Sequence, residues 1–253
     1  MKKIYIAGLD LSKNHYAFVM KQFNSSDKNT KICFGWNTPK IINHVKKYDS
    51  DIIGSILPKK QKGDDQANFD LKIGIYLYKR MFMDLALFDA HFKIDHSEDI
   101  IFIAIEDYAF SGNQVVQLAE ITGSIKQLFH SLNIHMRLYD PLSLKMWVLK
   151  GNTEKEYIFE EARKKLYIPN YLSATKMNPA CDISDAYFLM NMLDNEIRIR
   201  IDPNHLKTLS DNKLKLFNRV TKKFPVNLLN RPFISIQQPV LKKGLRKIGG
   251  KHD

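Results

Sequence analysis

The spacing of apolar residues changes from segment to segment along this chain, and the changes mark out its elements. Ile4-Tyr5-Ile6-Ala7-Gly8-Leu9 is a continuous apolar run of strand length and predicts a buried strand. His15–Gln22 and Lys31–Trp36 predict a second and a third strand. The polar stretches Lys13-Asn14 and Asn24-Ser25-Ser26-Asp27-Lys28-Asn29 read as the turns between them. Connections this short imply an antiparallel meander. Ile100–Ile105 and Ile134–Tyr139 predict two further strands, five in all.

The remaining apolar residues follow a helical period. Gln66–Phe92 carries Leu71, Ile75, Leu77, Tyr78, Phe82, Leu85 and Phe88 mostly at three- and four-residue spacings, which predicts one long helix. Shorter helices are predicted near Gln114–Leu132, around Leu142–Leu149, at Glu154–Leu166 and at Ser184–Leu193. Residues 37–65 hold a small helical patch, Ile41–Val45, and a polar loop, Pro58–Asp65. They read as an insertion, mobile at its tip. Strands alternating with helices after a meander predict an α/β fold, a mixed five-stranded sheet with helices on both faces. Nothing repeats.

Composition narrows the class. At 253 residues, 44% hydrophobic and 26% charged, the chain suits one sizeable core of the ordinary globular kind. Two cysteines, Cys33 and Cys181, supply no disulfide framework and no metal-ligand spacing. Asp10 interrupts the first apolar run too early for a signal peptide. No run approaches the roughly 20 residues of a membrane span. The expectation is a soluble intracellular protein with no membrane partner, in bacterial or phage-host cytoplasm or in an organelle or viral factory.

The net charge of +12 is unevenly placed. From Pro203 to Asp253 twelve Lys and Arg face only Asp211 and Asp253, a net +10 that leaves the preceding 202 residues at +2. Two domains follow, a balanced body over 1–200 and a basic extension over 201–253. Such an extension is either a phosphate-backbone binder or a solubilising tail. The expectation is a mixture: Leu206–Phe233 folded on the body and Gln237–Asp253 free, with Lys242, Lys243, Arg246 and Lys247 touching DNA.

Four carboxylates give the body its chemistry. Asp10 and Glu106 each close a predicted strand, and Asp182 and Asp185 share one face at the start of the Ser184–Leu193 helix region. Crowded carboxylates repel unless a cation offsets their charge. All-oxygen donors favour Mg²⁺, with Mn²⁺ as a substitute, and two such ions clamp an in-line phosphoryl displacement. Taken singly, each acid also fits a solvated cap or a helix-dipole partner.

These residues, with Ser12 after Asp10, resemble the RuvC family of Holliday junction resolvases, within the ribonuclease H-like superfamily, over roughly Ile4–Met192. The resemblance implies that Asp10, Glu106, Asp182 and Asp185 ligate two ions. It also implies that Lys145, after Asp140-Pro141, and Lys155, after the Lys150-Gly151-Asn152 loop, lie near the scissile phosphate. Only one Gly of the family's Gly-rich loop remains here. Tyr108 and Phe110 follow Glu106 where an aromatic stacks at an opened junction, although the family's position is Ala109 here; core packing is the other reading. Lys150 joins the expected DNA contacts.

The implied function is structure-selective cleavage of branched double-stranded DNA, a four-way junction, by a homodimer with no small-molecule cofactor. Gly123, inside a predicted helix, fits either close approach at a subunit interface or packing on the sheet. Two other readings remain. Gly8-Leu9-Asp10-Leu11-Ser12-Lys13 resembles DEDD-type transposases, though the roughly 60 residues after Leu193 are few for their second domain. A non-catalytic nucleic-acid-binding protein of the same fold would not need four acids.

Overall fold

The apolar opening run forms β1 (Ile4–Leu11), and the rest of the sheet is built outward from it. β2 (Tyr16–Gln22) folds back antiparallel to β1, with Asp10 opposite Ala17 and Leu11 opposite Tyr16. β3 (Lys31–Trp36) runs antiparallel to β2, and β4 (Ile52–Ile56) parallel to β3. On the other side of β1, β5 (Ile100–Glu106) and then β6 (His135–Tyr139) are parallel to it. The sheet order is β4-β3-β2-β1-β5-β6. This computed structural model describes residues 2–12, 15–37, 39–48, 51–107, 115–148, 155–173, 179–220, 222, 224–239 and 241.

Alternation along β1 sorts the core into two layers. Tyr5, Ala7 and Leu9 point to one face. There they meet α2 (Gln66–Phe92) and α3 (Val115–Ser131) through Leu77, Met81, Phe88, Ile125 and Phe129. Ile6 points to the other face, with Phe34 of β3 and Phe102 of β5. That face is covered by α1 (Pro39–Tyr48), α4 (Pro141–Val148), α5 (Lys155–Arg163) and above all α6 (Ala180–Ile201). The result is the expected α/β architecture, a mixed sheet with helices on both faces.

Two expectations need correction. Among the described residues the sheet has six strands, not five, because part of the 37–65 segment is β4. Gly54 and Ser55 interrupt its apolar pattern, and the glycine is there for space. A Cβ on Gly54 would lie 2.8 Å from Ile42 Cδ1 and 3.0 Å from Phe34 Cζ. Second, α6 extends to Ile201, well past Leu193, because it is buried on most sides and carries no simple amphipathic period. The long helix expected at Gln66–Phe92 is α2, and it has two apolar stripes. Phe69, Ile73, Leu77, Met81, Leu85 and Phe88 face the sheet, whereas Leu71, Ile75, Tyr78 and Phe82 are exposed.

One polar cluster lies inside the α2 layer. The Tyr16 hydroxyl donates to Asp84 at 2.7 Å and receives Arg80 Nε at 3.1 Å, tying α2 to β2. Asp84 is fully buried, and that burial raises its pKa to about 6 despite Arg80.

The C-terminal extension is folded onto the body as far as it is described. After α6 come a 3₁₀ turn at Pro203–Thr208 and α7 (Asp211–Asn218). Phe217 of α7 packs edge-on against Trp147 of α4, with ring centroids 5.7 Å apart. The chain then crosses to the sheet edge, where Ile234 pairs with Met136 of β6 through two 2.9 Å backbone hydrogen bonds. That covers part of an edge that would otherwise be open to another strand. An ion-pair cluster fixes this strap. Glu196 of α6 accepts from Arg137 Nε at 3.0 Å, Arg200 Nε at 3.0 Å and the Tyr139 hydroxyl at 2.9 Å. The same arginines reach the strap backbone: Arg137 donates to the Pro232 carbonyl at 3.0 Å, and Arg200 to the Arg231 carbonyl at 2.8 Å. Burial would raise the Glu196 pKa, but Arg137 and Arg200 outweigh it and hold the carboxyl below its usual range.

Glu196→Gln leaves a buried arginine without its counter-charge and should cost about 3–5 kcal/mol of stability, read from urea denaturation midpoints. A loss under about 1 kcal/mol, the size of an exposed pair, would show that the cluster does not anchor the strap.

Candidate active site

Residues of alternate parity share a face along a strand, so Gly8 and Asp10 both point toward α6. Gly8 is what lets that helix lie directly on β1. A Cβ there would sit 1.9 Å from the Ala186 carbonyl oxygen and 2.7 Å from the Met190 nitrogen, both backbone atoms. Asp182 and Asp185 lie within one helical turn before Ala186, so the close contact carries them to the end of β1 where Asp10 stands. The parallel register sets Gly8 beside Ala104 and Leu9 beside Ile105, which brings Glu106 next to Asp10. Four carboxylates distant in sequence thus meet at one end of the sheet.

Their electrostatic coupling follows from that proximity. The Asp10 carboxyl is pushed well above the usual range by burial first, then by the charges of Asp182, Asp185 and Glu106, with Lys155 opposing. Asp185 is raised to about 7 by burial and by Glu106 and Asp182, against Lys155 and Lys145. Glu106 is raised by burial and by Asp140, with Lys145 opposing. Asp10, Glu106 and Asp185 each keep some open surface, yet the surrounding protein removes most of their water. The site is therefore an anionic recess flanked by two lysines, Lys145 on α4 and Lys155 at the start of α5, both exposed at their tips.

Two neighbours were passed over in the sequence. His15 follows the β1–β2 turn, and its Nδ1 lies 3.0 Å from Asp182 Oδ2. The signal was hairpin closure: if residues 13 and 14 form the turn, His15 faces Ser12 at the same end of the sheet as Asp10. Ser12 itself closes the hairpin, its hydroxyl donating to the His15 carbonyl at 3.0 Å and accepting from the His15 amide at 3.2 Å. Asp140, beside Glu106 in effect, is paired at 3.2 Å with Arg219, which brings the basic extension to the rim of the recess. Burial and the charge of Asp185 push the Cys181 thiol up to about 12, away from the thiolate form a nucleophile needs.

As they stand, no three His, Cys, Asp or Glu side chains among the described residues are gathered closely enough to hold a metal ion. The donor chemistry nevertheless fits a hard divalent cation. Asp182 is 4% exposed and its Oδ2 has no hydrogen-bond partner, an orphan acceptor inside an anionic recess. The expected DNA contacts Tyr108, Phe110, Lys150, Lys242, Lys243, Arg246 and Lys247 lie outside the described residues.

No protein-family model matches the chain, and no curated protein does. Solved structures similar to it include Thermus thermophilus RuvC in complex with a Holliday junction substrate, at 11% identity and TM-score 0.44, covering 73% of this chain and 91% of that one. Thermus thermophilus RuvC by itself gives 12% identity and TM-score 0.41 over 75% and 97% of the two chains. The yeast mitochondrial Holliday junction resolvase Ydc2 gives 13% identity and TM-score 0.39 over 75% and 76%. Likeness at this level leaves the reading of the site to its own residues.

Asp185 ties this geometry to stability. Its folded pKa, about 7, lies above the roughly 3.9 of an unfolded chain. Ionising it costs the folded state stability from about pH 4 upward, and the cost is complete above pH 7. Asp185→Asn should therefore raise the melting temperature of the metal-free protein more at pH 8 than at pH 4.5. Equal shifts at the two pH values would show that Asp185 is not held in this environment.

Proposed function

We propose that this chain is a divalent-metal-dependent endonuclease that resolves four-way DNA junctions by paired phosphodiester cuts. The observation that carries the reading is the convergence of Asp10, Glu106, Asp182 and Asp185 from two parallel strands and a helix into one recess with Lys145 and Lys155 beside it. Asp10, Glu106, Asp182 and Asp185 are the residues that would hold the divalent ions, Mg²⁺ or Mn²⁺. Ions held there supply an activated water and stabilise the leaving oxygen. Lys145 and Lys155 counter the charge that builds on the phosphate.

Branched DNA as substrate is supported by the resemblance in the sequence and by the basic balance of the chain. Lys150, Lys242, Lys243, Arg246 and Lys247 remain sequence-based candidates for phosphate contact, and Tyr108 and Phe110 for stacking at the junction centre. Incubation with synthetic four-way, flap and linear duplexes in Mg²⁺ should give symmetric nicks on the four-way substrate. Asp10→Asn should abolish them while leaving junction binding intact or tighter, because an anion facing phosphate is removed. Cleavage retained by that variant would sink the two-ion assignment.

Paired cuts on strands of like polarity require two active sites related by a two-fold axis, hence a homodimer. The outward stripe of α2 supports one. Leu71, Ile75 and Tyr78 line a groove of about 800 Å³ against Glu120, Ile121 and Ser124 of α3. Gly123 lies on this side of α3, and a Cβ on it would meet nothing within 4 Å of its own chain. That removes close packing on the sheet as its explanation and leaves room for a second copy. Leu71→Lys combined with Phe82→Lys should convert the dimer to a folded monomer in sedimentation and abolish paired cuts while sparing single nicks. An unchanged mass would move the interface elsewhere.

A further inference from the structure

We propose that His15 is a nitrogen donor to the metal centre, alongside Asp182, and that it biases the centre toward Mn²⁺ over Mg²⁺. The inference rests on the metal-dependent reading above and adds a residue and a selectivity to it.

His15 and Asp182 stand face to face. Their facing atoms, Nδ1 and Oδ2, are 3.0 Å apart, yet neither forms a hydrogen bond with the other or with any other protein atom. Both atoms are shielded from solvent. Two donors about 2.1 Å from one octahedral ion, in adjacent positions, are themselves about 3.0 Å apart. The observed spacing is one that two ligands of a shared ion can adopt.

The imidazole is also fixed in place. Ser12 binds both the amide and the carbonyl of His15, at 3.2 and 3.0 Å, so the hairpin sets its backbone. The Trp36 ring packs against the imidazole with centroids 5.3 Å apart and 45° between planes, which restricts the ring itself. A ring held on two sides, with one nitrogen turned into the carboxylate recess, loses little entropy on ligation. Exposed surface histidines lack such restraint.

The consequence is chemical. Asp10, Glu106, Asp182 and Asp185 alone form an all-oxygen set suited to Mg²⁺, which keeps oxygen ligands and strict octahedral geometry. One imidazole in the set favours transition-metal ions, which accept nitrogen more readily. His15 therefore makes Mn²⁺ the tighter-bound ion.

The test uses Mn²⁺ titrated into the metal-free full chain, with bound ion counted by electron paramagnetic resonance and nitrogen ligation read from ¹⁴N modulation in pulsed spectra. The wild type should show ¹⁴N modulation that His15→Ala loses, with Mn²⁺ affinity falling about tenfold or more. Mg²⁺ affinity, measured by competition, should fall much less. His15→Gln, which keeps volume and polarity, should behave like His15→Ala; thermal melts of both verify that the fold is retained. Mn²⁺ bound without ¹⁴N modulation, or modulation that persists in both variants, would overturn the assignment while leaving the nuclease reading intact. Equal losses of Mn²⁺ and Mg²⁺ affinity would overturn the selectivity and make His15 a positioning residue for Asp182. Failure to bind Mn²⁺ at all would remove the metal centre itself, and the reading of the function with it.

Discussion

The contact on which this molecule depends is backbone against backbone, where α6 lies on β1 at Gly8. Any side chain at that position would occupy the space of the Ala186 carbonyl, and the helix would have to lift by more than a rotamer change can absorb. Lifting α6 would open the core between Ile6, Phe102 and the underside of the helix. It would also withdraw Asp182 and Asp185 from Asp10. Packing and site assembly are therefore the same event in this fold. The carboxylates repel one another, and the apolar burial of a 22-residue helix is what keeps them together.

The same helix organises the buried charge away from the site. Its far half carries Glu196, clamped by Arg137 and Arg200. Asp194, near its middle, pairs with Lys21 at 3.3 Å and Arg198 at 3.2 Å. Each of these acids meets a cation directly, and that is the usual condition for an ionised group in a core. The first turn differs in its partners. Asp182 faces His15 rather than an arginine or lysine, and burial with the neighbouring carboxylates raises Asp185, with only Lys155 and Lys145 opposing. Mutually repelling acids at the start of the helix, against acids paired with arginine and lysine further along it, are a contrast that points to function at its start.

Much of this was legible in the amino-acid order. The strands bearing Asp10 and Glu106 announced themselves as unbroken apolar runs, because a strand buried on both faces needs no alternation. The spacing of Asp182 and Asp185 put them on one helical face before any coordinates existed. What was hidden depended on long-range packing. β4 was obscured by Gly54-Ser55, small because Ile42 and Phe34 crowd them. The reach of α6 was obscured by charged residues such as Glu196 and Arg200, which look like surface in sequence and are buried in pairs. The two stripes of α2 merge into one broad apolar pattern when only spacing is read. His15 looked isolated because its partner, Asp182, is 167 positions away, and only the hairpin and the Gly8 contact bring them together.

The charge distribution also explains how a strongly basic chain can hold so acidic a centre. Four carboxylates and Asp140 concentrate negative charge at one end of the sheet, where Lys145, Lys155 and Arg219 offset only part of it. A phosphate approaching that recess is repelled until cations offset the carboxylates. Binding and chemistry are therefore separable in space. On the proposed reading, the long-range attraction of polyanionic DNA would come from the +12 net charge, most of it in the C-terminal extension, while the last few ångströms would be decided by whether the recess is charge-neutral. On that reading, metal loading would license close approach of the backbone, and the protein would hold DNA without cutting it when the ions are absent.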